Sequence, residues 1–181
     1  MTDPPPIARD DHAGYMRLAI SLAQQSPPRA TNFRVGAVLV DQDLNKILAT
    51  GYTLELPGNT HAEQCCLQKI ATAQAIPEES VGAKLPTRTA IYTTMEPCVK
   101  RLSGNVSCVE RILQTRKAGT AGGIQAVYVG VTEPETFVGE NAGRAKLEAM
   151  GIKYVHVAGF EQEILEIATA GHGDEGKQLA E

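Results

Sequence analysis

Short β-rich apolar runs alternate with segments of helical periodicity, and this alternation restricts the possible folds more than any other feature of the sequence. After a first helix pattern, residues 34–53 carry two β-rich runs around a polar turn, which is a hairpin signal. The later apolar runs "RTAIYTTM", "IQAVYVGV" and "IKYVHVAG" are separated by helical patterns. The order α, hairpin, α, β, α, β, α, β, α predicts a three-layer α/β/α fold with a mixed, roughly five-stranded sheet.

The length of 181 residues suits one domain whose core needs no disulfide support. Both ends have little apolar surface to bury, which predicts mobile tails at 1–9 and 170–181 around a domain at 10–169. Four cysteines in a chain with neither a signal-peptide core nor a membrane-length apolar run indicate reduced thiols or metal ligands. We therefore expect a cytoplasmic protein.

The charge balance argues against a polyanionic partner. With 17 Lys plus Arg against 21 Asp plus Glu, the net charge of −4 gives no broad attraction to nucleic acid or to an anionic membrane. An anionic ligand must then be bound by local positive groups, so the expected partner is a small molecule.

His61 and Glu63 stand two residues apart just before an apolar, helix-like run. On the side of a helix such residues point about 200° apart and do not meet. If the helix begins here, both side chains can instead address one point beyond its N-terminal end. A purely structural interpretation is also available, because "THAE" fits a capping box with Thr60 as N-cap and Glu63 at N3.

A second helix start repeats this arrangement. In "SCVE", Ser107 is the predicted N-cap and Cys108 the first helical residue, where the helix dipole favours thiolate. Cys98 follows the end of a predicted strand, so a loop can bring its sulfur to the same point. One imidazole and two thiolates leave a fourth position open, which is typical of catalytic zinc. The two other cysteines fall inside a helix pattern and are expected in the core.

In this arrangement Glu63 lies beside the metal without binding it and can transfer protons to a substrate. Zinc lowers the pKa of a bound water toward about 7. His-x-Glu followed by Pro-Cys-x-x-Cys is the zinc deaminase signature, and this chain has each of its residues with a longer spacing between the two cysteines. The sequence therefore predicts hydrolytic deamination with Zn²⁺ as cofactor, His61, Cys98 and Cys108 as ligands, and Glu63 as the catalytic residue.

These motifs, between about residues 12 and 168, resemble the cytidine deaminase superfamily. The nine residues between the two cysteines, where two are usual, resemble the insertion in the deaminase of riboflavin biosynthesis. "NFRVGAVLV", "GNTHAE" and a glycine-rich turn within 132–152 resemble other segments of that family, and "RLSGN" resembles its fungal stand-alone form. The resemblance implies a pyrimidine deaminase, a hydrolase acting on a cyclic amidine C–N bond. The implied reaction converts 2,5-diamino-6-ribitylamino-4(3H)-pyrimidinone 5′-phosphate to 5-amino-6-ribitylaminouracil 5′-phosphate.

The same resemblance suggests residues that bind this substrate. Asn32 resembles an asparagine of the family, and its amide can both donate to and accept from the pyrimidine, although asparagine before a strand is often a turn former. Lys100 and Arg101 can bind the phosphate, or they can be solvated loop charges. Ser103 and Asn105 can donate to the phosphate or shape a tight turn.

Three other functions remain open at this point. A tRNA deaminase needs basic surface and stacking aromatics, whereas this chain is acidic and has no Trp. A free nucleoside or nucleotide deaminase is also possible, and the basic loop is the only sequence feature that favours a phosphorylated substrate over a free nucleoside. A non-catalytic deaminase-like binding subunit would be marked by loss of the proton-carrying glutamate, and Glu63 is present. By analogy with this fold we expect a homodimer.

Overall fold

The computed structural model describes residues 6–117, 121–132 and 142–173. Its strands and helices follow the predicted order, with one added 3₁₀ helix at Glu78–Lys84. The strands are β1 (Gly36–Asp41), β2 (Lys46–Tyr52), β3 (Thr89–Met95), β4 (Ile124–Val131) and β5 (Lys153–His156). The α-helices are α1 (His12–Ala23), α2 (Ala62–Gln74), α3 (Cys108–Gln114), α4 (Ala142–Ala149) and α5 (Glu161–Ala168).

The five strands form one mixed sheet in the order β2-β1-β3-β4-β5. The hairpin partner β1 is antiparallel to both β2 and β3, whereas β3, β4 and β5 run parallel. Neighbouring parallel strands must be joined by a long crossover connection. Helix α3 lies in the connection from β3 to β4, and α4 lies in the connection from β4 to β5. The predicted mixed five-stranded sheet is confirmed.

Alternate residues of each strand pack against different helices. Ala37 and Leu39 of β1 join a core cluster with residues of α2, α3 and α4, while Val38 and Val40 join a second cluster with α1 and α5. The central strands β1, β3 and β4 are therefore buried on both faces, which explains their β-rich, largely apolar runs. The helices cover both faces of the sheet, so the predicted three layers are confirmed.

The two helix starts near the candidate metal ligands differ from each other. Helix α3 begins as predicted, with Ser107 as N-cap and its hydroxyl accepting from the Glu110 N–H at 3.2 Å. The prediction for α2 is wrong by one residue, because His61 is the N-cap and Gln64 stands at N3. The hydroxyl of Thr60 donates instead to the Leu56 carbonyl at 3.0 Å.

Some sequence predictions fall outside the described residues. These include parts of both predicted tails, at 1–5 and 174–181, and most of the glycine-rich turn, at 133–141. In the described part of the chain the longest α-helix has 13 residues. None of its helices is both long enough and apolar enough to cross a bilayer.

Candidate active site

Three segments bring the predicted metal ligands to one point. His61 precedes α2, Cys98 lies in the loop after β3, and Cys108 begins α3. Their ligand atoms all lie within 4.8 Å of one another. The His61 Nδ1 atom is 3.6 Å from the Cys98 sulfur and 3.4 Å from the Cys108 sulfur.

The N-terminus of α3 closes the loop between the two cysteines. The Cys108 N–H donates to the Cys98 sulfur at 3.3 Å, and the Val109 N–H donates to the Cys98 carbonyl at 3.1 Å. The first N–H groups of a helix have no intrahelical acceptor, so Cys98 satisfies two of them. The nine residues between the two cysteines therefore form a loop whose two ends lie next to each other.

The three donor atoms suit a tetrahedral zinc ion. Around such an ion, sulfur at 2.3 Å and nitrogen at 2.1 Å lie roughly 3.6 Å apart. The two observed nitrogen–sulfur distances, 3.4 and 3.6 Å, match this value. Among the described residues no fourth His, Cys, Asp or Glu joins the group. The site thus fits zinc with one coordination position left for water or substrate.

The pKa values of the Cys98 and Cys108 thiols are shifted in opposite directions. Hydrogen bonding from the Cys108 thiol, with help from His61, lowers the pKa of Cys98 far below its usual value. The same hydrogen bond, together with burial, raises the pKa of Cys108. One thiolate is thus favoured before a metal arrives, and metal binding must release the second proton.

Glu63 lies beside this group without belonging to it. Its carboxyl group is buried, with Oε1 3.1 Å from the Thr93 hydroxyl and Oε2 3.3 Å from the Cys108 sulfur. Burial raises the pKa of Glu63. A buried carboxyl group with a raised pKa can both accept and return a proton, which suits general acid–base chemistry.

A cavity of about 160 Å³ opens onto this group. Its lining includes two of the candidate metal ligands, the carboxyl group of Glu63 and the loop that leads into β1. The lining residues are Thr31, Asn32, Phe33, Val35, Thr53, His61, Glu63, Met95, Glu96 and Cys98. Asn32 is thus brought to the same cavity as His61, Glu63 and Cys98. The chain therefore offers a small ligand an amide, a carboxyl group and a metal position together.

The structure separates the predicted substrate-binding residues into three groups. Asn32 is in the cavity lining, and its Nδ2 atom donates to Asn59 Oδ1 at 2.8 Å. Lys100, Ser103 and Asn105 are exposed in the loop and are outside the described lining. Arg101 is buried and hydrogen-bonded inside the protein. Their roles in binding stay predictions.

Three residues that contact the candidate site were not singled out as functional from the sequence. Gln64 accepts from the His61 N–H at 3.4 Å, and it could have been found by shifting the capping box one residue along. Asn59 supports Asn32 through its side chain. Thr93 reaches Glu63 from a position 30 residues away in the chain, and no local pattern signals such a contact.

The chain also matches a family of known proteins. Residues 9–122 match the model of the cytidine and deoxycytidylate deaminase zinc-binding region. A diaminohydroxyphosphoribosylamino-pyrimidine deaminase of Schizosaccharomyces pombe is 36% identical over 162 residues, which is 90% of this chain. The chain spans only 36% of the length of that relative.

Solved structures with the same fold include the Rib2 deaminase of Aspergillus oryzae. A C-terminal deletion mutant at pH 4.6 is 50% identical, with a TM-score of 0.84, over 93% of this chain and 96% of that one. The deletion mutant in complex with DARIPP is 48% identical, with a TM-score of 0.82, over 92% and 94%. The predicted resemblance in fold and family is confirmed.

Proposed function

Because the chain belongs to the cytidine and deoxycytidylate deaminase family, we propose that it is a zinc-dependent deaminase of riboflavin biosynthesis. Its substrate would be 2,5-diamino-6-ribitylamino-4(3H)-pyrimidinone 5′-phosphate and its products 5-amino-6-ribitylaminouracil 5′-phosphate and ammonia. One observation carries this proposal: the Aspergillus oryzae Rib2 deaminase, 48% identical over 92% of this chain, was solved in complex with DARIPP.

The metal would be held by His61, Cys98 and Cys108, whose nitrogen–sulfur distances of 3.6 and 3.4 Å suit zinc. Zinc, when bound, supplies a water whose pKa is lowered toward about 7. The remaining chemistry belongs to side chains of the cavity.

Glu63 is proposed to move the protons of the reaction. Its buried carboxylate would accept a proton from the attacking water and deliver it to a ring nitrogen of the pyrimidine. It would then accept the proton of the newly added hydroxyl group and deliver it to the amine, so that ammonia leaves as the carbonyl forms. The Thr93 hydroxyl, 3.1 Å from Oε1, holds the carboxyl group in one orientation. Because the carboxyl group is buried, bulk water does not compete for these protons.

Asn32 is proposed to orient the pyrimidine in the cavity. Its Nδ2 atom is held by Asn59, and its Oδ1 atom accepts from the Thr31 hydroxyl at 3.0 Å. These contacts fix the amide plane, so the side chain is ordered before a substrate arrives. We place the phosphate at the rim of the cavity, toward Lys100, Ser103 and Asn105, because the described lining contains no Lys or Arg.

The proposal is tested by measuring ammonia release from the zinc-loaded protein. The ribitylamino substrate is compared with its ribosylamino analogue, since the name of the Schizosaccharomyces pombe relative specifies the phosphoribosylamino form. Glu63→Gln is the matched variant, because it keeps the side-chain volume and removes the proton-carrying group. We expect kcat to fall at least about 10²- to 10⁴-fold in this variant while one zinc per chain is retained.

Absence of ammonia from both substrates, with one zinc bound per chain, would refute the riboflavin assignment. Cytidine, deoxycytidylate and tRNA would then be the substrates to assay. Equal turnover by the parent and Glu63→Gln would instead refute the role of Glu63.

We further propose a cytoplasmic homodimer whose catalytic domain spans residues 10–169. The four cysteines are free, which suits a reducing compartment, and the dimer is proposed by analogy with the fold. Light scattering of the purified protein tests the dimer, and fractionation of cells tests the location.

A further inference from the structure

We propose that Arg101 is a positioning residue for the metal centre and does not bind the substrate phosphate. It would act through Gln64 and Asn59 on the segment that carries His61. The kinetic part of this inference rests on the proposed function, whereas the metal-binding part does not.

Arg101 behaves unlike its neighbours in the loop between the two cysteines. Lys100 and Leu102 are exposed, whereas the Arg101 side chain is turned inward and only 6% exposed. Its Nη1 atom donates to Gln64 Oε1 at 2.9 Å, and its Nη2 atom donates to the Asn59 carbonyl. The guanidinium group is thus bound to the protein interior by both of its terminal nitrogens.

Both acceptors belong to the segment around His61. Gln64 Oε1 also accepts from the His61 backbone N–H at 3.4 Å, and Asn59 lies two residues before His61. The planar guanidinium group has its donors in a fixed geometry, so two simultaneous bonds restrict the segment more than one bond would. Arg101 therefore links the cysteine loop to the Asn59 carbonyl before the histidine ligand and, through the Gln64 side chain, to the backbone N–H of His61 itself.

The same contacts extend to the substrate cavity. Asn59, whose carbonyl accepts from Arg101, uses its side-chain oxygen to hold the Nδ2 atom of Asn32 at 2.8 Å. Asn32 lines the cavity together with His61 and Glu63. Loss of the guanidinium group should therefore disturb a metal ligand and a proposed substrate-orienting residue at the same time.

The charge environment of Arg101 argues against a simple ion pair. Within the described ranges no carboxylate lies within 4.0 Å of its guanidinium nitrogens. Burial of an uncompensated charge is unfavourable, so the group depends on the neutral oxygens of Gln64 and Asn59. Because these bonds point it away from solvent, Arg101 is poorly placed to bind a phosphate at the rim of the cavity.

The first experiment measures zinc affinity by competition with a chromophoric chelator. Arg101→Met keeps most of the side-chain volume and removes both hydrogen bonds. We expect zinc affinity to fall about 10- to 100-fold, as is typical when a residue that orients a metal ligand is lost. Lys100→Met is the matched control, since it removes the same charge from the adjacent, exposed position and should leave zinc affinity unchanged.

Gln64 provides the second test. Gln64→Glu keeps an oxygen acceptor for both Arg101 and the His61 N–H, so zinc affinity should be retained. Gln64→Met removes that acceptor and should weaken zinc binding. Because Gln64 and Arg101 share one contact, the double variant with Arg101→Met should lose less affinity than the two single losses combined. Cobalt-substituted protein should show altered thiolate-to-metal absorption bands in the weakened variants.

The kinetic experiment separates positioning from phosphate binding. A positioning role predicts an equal loss of kcat for the phosphorylated substrate and its dephosphorylated form, whereas a phosphate ligand predicts a rise in KM for the phosphorylated substrate alone. If Arg101→Met does not fold, Arg101→Lys, which can reach one acceptor at most, should give an intermediate loss of zinc affinity.

Unchanged zinc affinity and unchanged cobalt spectra in Arg101→Met, or in Arg101→Lys if that variant replaces it, would overturn the proposal. So would a loss confined to KM of the phosphorylated substrate. If the parent protein released no ammonia at all, the proposed function would fail, while the zinc and cobalt measurements would still test the role of Arg101.

Discussion

Gly51 of β2 packs directly against the beginning of α2. A Cβ atom added at this position would lie 2.2 Å from the Ala62 carbonyl oxygen and 2.9 Å from the Cys65 Cβ atom. Carbon–oxygen contacts normally begin near about 3.3 Å, so the Gly51→Ala substitution requires α2 and β2 to separate by about 1 Å. The nearest atom belongs to the backbone and cannot avoid the clash by a rotamer change.

This separation has a predictable cost in stability. Overpacking of a filled core costs about 1–3 kcal/mol, and we expect the upper end because backbone meets backbone. For a domain of this size each kcal/mol lowers Tm by about 2–4 °C, so Tm should fall by roughly 6–12 °C. Ala62 directly follows His61, so a displacement of about 1 Å should also lower kcat about 10²-fold.

Scanning calorimetry and ammonia release measure the two effects on the same preparation. Gly173→Ala is the control, because an added Cβ atom there meets no atom within 4 Å. Parent-like values of both Tm and kcat in Gly51→Ala would refute the argument that this close approach positions the site. A lower Tm with parent-like kcat would show that β2, an edge strand, yields in place of α2.

Three further predictions test the metal, the carboxyl group and the aromatic core. Removing zinc with a chelator should lower Tm by roughly 8–16 °C, because a metal at about 1,000 times its Kd stabilises the folded protein by about 4 kcal/mol. If metal analysis confirms that the zinc has been removed and Tm is unchanged, this prediction is wrong. Thr93→Val should lower kcat about 10-fold with zinc content unchanged, since Glu63 loses a hydrogen bond, and Thr93→Ser should restore most of the rate. Burial raises the pKa of Tyr92, so above about pH 10 this phenol ionises in the unfolded state and stays neutral in the folded state. The contribution of Tyr92 to the free energy of unfolding should therefore fall by about 1.4 kcal/mol per pH unit. Urea unfolding between pH 9 and 11 should show that Tyr92→Phe reduces this slope; an unchanged slope would contradict the assignment.

The layered fold could be predicted because its pattern is local. The central strands β1, β3 and β4 are short, largely apolar runs, and such runs need cover on both faces. The helices between them have the periodicity that provides this cover. Neither observation requires knowledge of contacts between distant residues, and the observed sheet and helix layers agree with both.

The start of α2 shows how far local pattern can go. Thr60 with Glu63 and His61 with Gln64 both fit a cap followed by an acidic or amide residue three positions later. Which residue becomes the N-cap depends on groups elsewhere in the structure. The Leu56 carbonyl accepts a hydrogen bond from the Thr60 hydroxyl, and the Arg101 guanidinium group donates to Gln64. The capping box calls for Ser or Thr at the N-cap, so the sequence pattern favours Thr60, and these distant contacts select His61 instead.

The sequence by itself determined the alternation of elements and pointed to the residues that we propose bind zinc and carry protons. The tertiary structure decided which loop residues turn inward. From sequence, Arg101 and Lys100 were equivalent loop charges, yet one is buried and the other exposed. The difference arises from a hydrogen bond between Arg101 and Gln64, which are 37 residues apart in the chain. Such a contact depends on the path of the whole loop, and no short stretch of sequence contains that information.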